Sequence, residues 1–277
     1  MGDSASKGLV RELERVGVPG DGSDRRRVEY SYDASLYRVL PLAVAFPRDA
    51  DEVVAAIHAS REVGVPVTPR GGGTSVAGNA VGPGLIIDLS RRFDSTRSID
   101  HEQRLAQGDP GVVLDDLQRA AGRSGLRFGP DPSTHDRCSI GGMIGNNACG
   151  SRALGFGRTV DHVEGLEVVT GAGERLRLGA DFDVAGRRLT HRAAAQALSR
   201  ADLIRQRSGT FPRQASGYGL HHLLPEQGAD LARALVGSEG TLAVVLGATL
   251  RLVRIPSKSA LVLLGYPDIA SAADAVP

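Results

Sequence analysis

The sequence predicts a chain of mixed helix and strand, on three observations. Short apolar runs of strand length recur from Leu42 onward, capped amphipathic helical stretches stand between several of them, and three glycine-rich loops each lie next to a strand-like run. With 277 residues and 41% apolar side chains, the chain can bury a substantial core, as one large domain or two modest ones. No internal repeat or low-complexity tract is present.

Residues 1–38 are rich in Arg, Asp and Gly and read as an arm with one short helix near residues 7–16. Residues 42–46 form a short strand that Pro47 breaks. Asp49 with Glu52 three residues later makes a capping box ahead of the apolar positions Val53, Val54, Ile57 and Val63, and Gly64 closes that helix. Residues 65–68 are a second strand leading into the first glycine loop, and residues 85–89 are a third beyond it. Further on, 112–121 is helical, 126–128 leads into the turn Pro130-Asp131-Pro132, and Ser139 caps a short helix through Ile140 and Met143. Residues 163–170 and 174–178 read as a hairpin across Gly171-Ala172-Gly173. Residues 230–236 are helical, and 241–246 and 249–253 are strands. Residues 261–265 begin another strand and Asp268 caps a further helix from Ile269, which the chain leaves barely started at Pro277. That pattern predicts a truncated chain, either cut short artificially or a fragment of a longer polypeptide.

Composition excludes several classes. The formal charge of +1 comes from 33 basic and 32 acidic groups, so nothing in the bulk electrostatics favours nucleic acid as a partner. No apolar run approaches the roughly 20 residues that cross a bilayer, and residues 1–15 lack the apolar core of a signal peptide. The two cysteines, Cys138 and Cys149, have no CxxC spacing, which argues against a disulfide framework or a zinc site and for a reducing cytoplasm. His221-His222 is an adjacent pair without HExxH or HxH spacing, and reads as solvated at a helix start, so no metal is expected. His135 beside Asp136 reads as a surface loop.

The 36 glycines exceed the roughly 7% usual in soluble chains, and the excess falls in the loops. These are Arg70-Gly71-Gly72-Gly73-Thr74-Ser75, Gly141-Gly142-Met143-Ile144-Gly145-Asn146-Asn147-Ala148-Cys149-Gly150, and Gly237-Ser238-Glu239-Gly240-Thr241. Glycine lets a backbone approach a diphosphate closely and present its N–H groups, so a nucleotide cofactor is the first hypothesis. Taken singly, each loop has a plainer reading: a tight turn, a glycine-faced helix on a sheet, and a helix stop before a strand. The first loop is not a Rossmann fingerprint, because Val76 stands at the third glycine position and Gly78 to Gly84 cannot be a helix. Nor is it a P-loop, because Asn79-Ala80 replace the Lys and Ser/Thr. It joins two strands.

The four ordered motifs Pro66-Val67-Thr68-Pro69-Arg70-Gly71-Gly72-Gly73-Thr74-Ser75-Val76-Ala77-Gly78, Gly129-Pro130-Asp131-Pro132-Ser133, the loop from Ser139 to Gly150, and Gly237-Ser238-Glu239-Gly240-Thr241-Leu242 resemble the PCMH-type FAD-binding domain of the vanillyl-alcohol-oxidase superfamily. Within it the chain is similar to FAD-linked D-2-hydroxyacid dehydrogenases and oxidases of the D-lactate, glycolate and D-2-hydroxyglutarate type. The stretch Ser133 to Cys138 is most similar to large members fused to an iron–sulfur domain. The match runs from about Tyr32 to Arg254.

The resemblance implies a two-lobed α+β fold, with a small N-terminal α/β lobe (39–90), a larger mixed-sheet lobe (91–255), and FAD extended between them. It also implies that residues 256–277 start a truncated substrate-binding domain. By position, Arg70, Gly71, Gly72, Gly73, Thr74, Ser75, Gly78 and Asn79 would cradle the pyrophosphate. Pro130, Asp131, Ser133, Gly141, Gly142, Gly145, Asn146 and Gly150 would line the adenosine and ribityl side, Glu239, Gly240 and Thr241 would follow the cofactor's path, and Val163 would meet adenine. Members with covalent FAD commonly carry His in the first loop. Thr74 and Ser75 stand there, so non-covalent FAD is expected. Arg213 occupies a stretch that in the family approaches the flavin, where it is either a substrate-carboxylate ligand or an ordinary loop residue.

The implied reaction is oxidation of a D-2-hydroxy acid to the 2-oxo acid, with a small-molecule substrate, and an electron acceptor or iron–sulfur domain or subunit as partner. The family's His-x-His-x-Gly motif and any iron–sulfur cluster lie in parts absent from this chain. The alternatives are another oxidase or reductase on the same fold, and a flavoprotein subunit without catalysis of its own. The expected location is cytoplasmic, or peripheral to the inner face of the membrane.

Overall fold

The computed structural model describes residues 2–179, 182–208 and 217–276. The chain begins with α1 (Gly2–Arg15), β1 (Gly20–Asp21) and α2 (Asp24–Glu29), continues through β2 (Ala43–Ala45), α3 (Ala50–Val63) and β3 (Val67–Arg70), and reaches β4 (Leu85–Asp88) after the first glycine loop. These elements build a small lobe around a four-stranded sheet of order β1-β2-β4-β3. β2 and β3 both pair parallel to β4, and β1 pairs antiparallel to β2. β2 and β4 are buried along their whole length, as strands covered on both faces must be, which is why they read as unbroken apolar runs.

The cap of α3 forms as its sequence predicts: Asp49 accepts from Glu52 N–H at 2.9 Å, and Gly64 closes the helix at φ 71°. The N-terminal segment holds more than the one short helix expected of it. Leu9 and Leu13 of α1 are fully buried in the small-lobe core beside Val53, Ala56 and Leu85, and β1 adds a strand to the sheet.

The larger lobe comprises β5 (Thr96–Asp100), β6 (Leu105–Gly108), α4 (Leu114–Gly122), β7 (Leu126–Phe128), α5 (Ile140–Asn146), α6 (Ala153–Phe156), β8 (Val163–Thr170), β9 (Arg175–Gly179), α7 (Val184–Leu198), α8 (Ala201–Arg207), α9 (Leu231–Leu235) and β10 (Ala243–Arg254). Its sheet runs β5-β6-β10-β8-β9, with β7 also paired to β10. A mixed sheet is the sequence expectation for this lobe. Every pairing described in it is antiparallel, so the sheet is not mixed.

The two strands expected at 241–246 and 249–253 are one strand, β10, whose ladder slips between Val245 and Gly247. A bulge of this kind breaks the alternation of side chains without ending the strand. Val169, Val244 and Leu246 of the larger sheet belong to the small-lobe core, so the lobes share a packed apolar seam. Residues 261–265 are not a strand; Leu261 and Leu263 are 96% and 94% exposed there, and a strand has no partner to pair with. The final helix α10 (Ile269–Asp274) does form, capped by Asp268, and is exposed. No described helix is long and apolar enough to cross a membrane.

Candidate functional site

The three glycine loops meet. The first leaves β3 and makes the crossover to parallel β4 without a helix, over residues 71–84. The second carries α5, whose N-cap Ser139 accepts from Gly142 N–H at 3.2 Å and whose C-cap Asn147 is left-handed at φ 52°. The third follows α9 and holds three left-handed residues, Gly237 (φ 86°), Glu239 (φ 53°) and Gly240 (φ 73°). Glycine is required first where these loops touch. A Cβ on Gly71 would overlap Ser139 Oγ, one on Gly72 would overlap the Arg137 carbonyl, and one on Gly240 would lie 2.5 Å from Pro69 Cγ. Gly237 N–H donates to Ile144 O at 2.9 Å and Glu239 N–H to Gly145 O at 3.0 Å, so the third loop closes on the end of α5.

Between them lies a cleft of about 190 Å³, partly open to solvent. Arg70, Gly71, Gly72, Gly73, Thr74, Ser75, Asn79, Gly141, Gly142, Gly145, Asn146, Glu239 and Gly240 all line it, in company with apolar Leu89, Val168, Leu235 and Val245 that sequence reasoning did not single out. Val168, Leu235 and Val245 belong to β8, α9 and β10 and Leu89 follows β4, and none carries a signal beyond hydrophobicity.

Seven predicted positions stand outside the lining. Gly78 packs on Tyr37, where a Cβ would meet the ring at 2.7 Å. Pro130 is buried, and Asp131 accepts from Arg152 N–H at 3.2 Å behind Gly150, whose missing Cβ admits the Asp131 carbonyl. Ser133 is exposed, and Val163 is fully buried in β8 opposite Leu250. Thr241 Oγ1 donates to Ser238 O at 2.6 Å. Arg213 lies outside the described residues.

The electrostatics separate backbone from side chain. Among the described residues, the N–H groups of Gly72, Gly73, Thr74 and Ser75 have no acceptor. Arg70, by contrast, has its guanidinium occupied: Nη1 donates to Ala80 O at 3.0 Å, and the group lies 5.1 Å from the centre of the Tyr30 ring. Burial pulls its pKa below the usual arginine range, against the nearby Asp88 carboxylate. Tyr30 O–H donates to buried Asp88, and its own pKa is pushed up to about 12, first by burial and then by that bond. Burial likewise pushes the Cys138 thiol to about 11.

The histidine pair is not solvated. His222 is buried and its ring centre lies 4.0 Å from that of His221, because the 3-10 turn carrying them packs under α7 and α9 instead of opening to solvent. Among the described residues no group of three potential metal ligands is assembled.

The profile of the family described as "FAD binding domain" matches residues 41–179. The chain belongs to this family. The chain is 34% identical over 282 residues to a D-2-hydroxyglutarate dehydrogenase of Escherichia coli, covering 95% of this chain and 28% of that protein. It is 33% identical over 275 residues to the glycolate oxidase subunit GlcD of Bacillus subtilis, covering 98% of this chain and 50% of that subunit. The chain therefore spans between about a quarter and a half of these relatives. In structure it is similar to an alkyldihydroxyacetonephosphate synthase, with TM-score 0.64 at 18% identity over 90% of this chain and 41% of that one, which shows the two-lobed α+β fold.

The FAD-binding domain has a cleft suited to that cofactor. Four adjacent unpaired amides offer donors for a diphosphate, the glycines leave its approach open, and the apolar wall can take planar rings.

Proposed function

We propose that this chain is the flavin-binding part of an oxidoreductase that oxidises a D-2-hydroxy acid, of the lactate, glycolate or 2-hydroxyglutarate class, to the 2-oxo acid. The observation that carries the reading is the row of unpaired amides at Gly72–Ser75 in a cleft closed by the other two glycine loops. The names of the relatives supply the substrate class. When bound, FAD supplies a hydride acceptor for the substrate's α-carbon.

The chain's own part is to bind and orient. The amides of Gly72 to Ser75 hold the diphosphate, while Leu89, Val168, Leu235 and Val245 wall the cleft and exclude water. Asn146 and Glu239 face the cofactor across the cleft, tied to each other. Thr74 and Ser75 stand where a covalent histidine would, so FAD is held non-covalently. Electrons leave to an iron–sulfur domain or subunit, or to another acceptor, and the protein works in the cytoplasm or at the inner face of the membrane. The exposed apolar residues Leu261, Leu263 and Ile269 begin the substrate-binding part.

The test is anaerobic mixing of the FAD-loaded longer polypeptide that carries this chain together with its substrate-binding part with each enantiomer of lactate and of 2-hydroxyglutarate, and with glycolate, while the visible flavin absorbance is followed. Bleaching by glycolate or by D-enantiomers alone is the expected result. Colour that persists with every acid overturns the substrate assignment.

A further inference from the structure

The crossover from β3 to β4 is long and glycine-rich, and contains no helix over residues 71–84. Such a segment gives up much conformational freedom when held in one shape. Its hydrogen bonds show what holds it. Both backbone groups of Ala80 are gripped by side chains: the N–H donates to Asp33 Oδ2 at 3.2 Å, and the carbonyl accepts from Arg70 Nη1 at 3.0 Å. The Gly73 carbonyl accepts from Ala34 N–H at 3.2 Å. Asp33 also accepts from Ser35 N–H at 2.9 Å, which shapes the turn that presents Ala34. Tyr37 fills the space beneath Gly78.

One consequence follows from peptide geometry. The described chain contains no cis peptide, so the carbonyl of Gly73 and the N–H of Thr74 point in opposite directions. With the carbonyl held by Ala34 on one side, the Thr74 N–H is turned away from that turn. Thr74 itself lines the cleft.

We infer that the turn at residues 33–37 orients the amides of the first glycine loop toward the cofactor's diphosphate, and that Asp33 is its positioning residue. The inference rests on the FAD reading above and adds a part of the site that lies outside the family match at 41–179. It also reassigns Arg70. The sequence reading places this cation among the diphosphate ligands. Arg70 lines the cleft, but its guanidinium is engaged by the Ala80 carbonyl and lies against Gly73, where a Cβ would sit 2.5 Å from Nη2.

The experiment compares the wild-type chain with Asp33→Ala and with Leu36→Ala, whose side chain on the same turn is fully exposed. The readouts are the FAD dissociation constant, the phosphorus NMR shifts of saturating FAD, and the melting temperature of each apo-protein. Loss of two hydrogen bonds at roughly 1 kcal/mol each predicts FAD binding weaker by roughly tenfold or more in Asp33→Ala. Changed phosphorus shifts are expected with it, at a melting temperature within a few degrees of wild type, and Leu36→Ala should match wild type throughout. If Asp33→Ala does not fold, Asp33→Asn carries the same comparison, since it keeps one oxygen for the turn but sets an amide N–H2 against the Ala80 N–H. Wild-type affinity and phosphorus shifts in a folded Asp33 variant overturn this inference and leave the FAD reading intact. A wild-type chain that takes up no FAD overturns that reading itself.

Discussion

The Asn146 side chain donates to the Glu239 carboxylate at 2.8 Å, joining the last residue of α5 to the left-handed turn of the third glycine loop. The two residues are far apart in sequence and both line the cleft. The bond is exposed, so its worth to stability is small, while its position bears on the shape of the cleft. Asn146→Ala should weaken FAD binding several-fold at a cost of about 1 kcal/mol or less in unfolding free energy. A calorimetric titration and a urea melt on the same preparation check both parts.

Glycine substitutions should divide by what a Cβ would meet. At Gly72 it would overlap the Arg137 backbone carbonyl, which cannot rotate away, so Gly72→Ala should cost roughly 1–3 kcal/mol and strongly reduce FAD affinity. At Gly8, inside α1, a Cβ meets nothing within 4 Å, and Gly8→Ala should stabilise by roughly 0.5–1 kcal/mol with cofactor binding unchanged. Denaturant midpoints for the two variants decide the contrast.

The buried histidine pair sets an acid limit on stability. Burial, with His221, Arg233 and Arg158 adding to it against Asp161, lowers the His222 pKa from 6.5 to about 4, so the fold prefers the neutral ring. Between those two values the unfolded chain binds more protons than the folded one, and stability rises with pH. The stabilising contribution is complete above about 6.5 and is lost as pH falls toward 4. Melting temperatures should drop across that window in wild type, and less steeply in His222→Leu.

Cys138 should be inert. Its thiol is buried and pushed to about 11, so little thiolate exists at mildly alkaline pH. Mass spectrometry after iodoacetamide treatment should find Cys138 unmodified in the folded chain and modified after denaturation.

Much of the site was legible because glycine, caps and strand breaks are local signals. Asp49, Ser139 and Asp268 cap the helices their positions predict, and thirteen of the predicted cofactor positions line one cleft. Elements that depend on long-range pairing were not legible. β5 has only intermediate and exposed residues, so as an edge strand it shows no apolar run, and α7 hides an alanine-rich face behind Arg187, Arg188 and Arg192. The direction of the Arg70 side chain depends on Tyr30 and Ala80, which no spacing rule links to it. Residues 1–38 read as an arm because their charge hides Leu9 and Leu13, the two side chains that anchor α1.

The central claim is that the three converging loops hold FAD non-covalently. It is tested most directly by stripping the purified chain of flavin, titrating FAD against it by fluorescence, and identifying what denaturation in acid releases. The account predicts saturable uptake of equimolar FAD and its full release on denaturation. A chain that takes up no FAD, or one whose flavin stays with the precipitated protein, contradicts it.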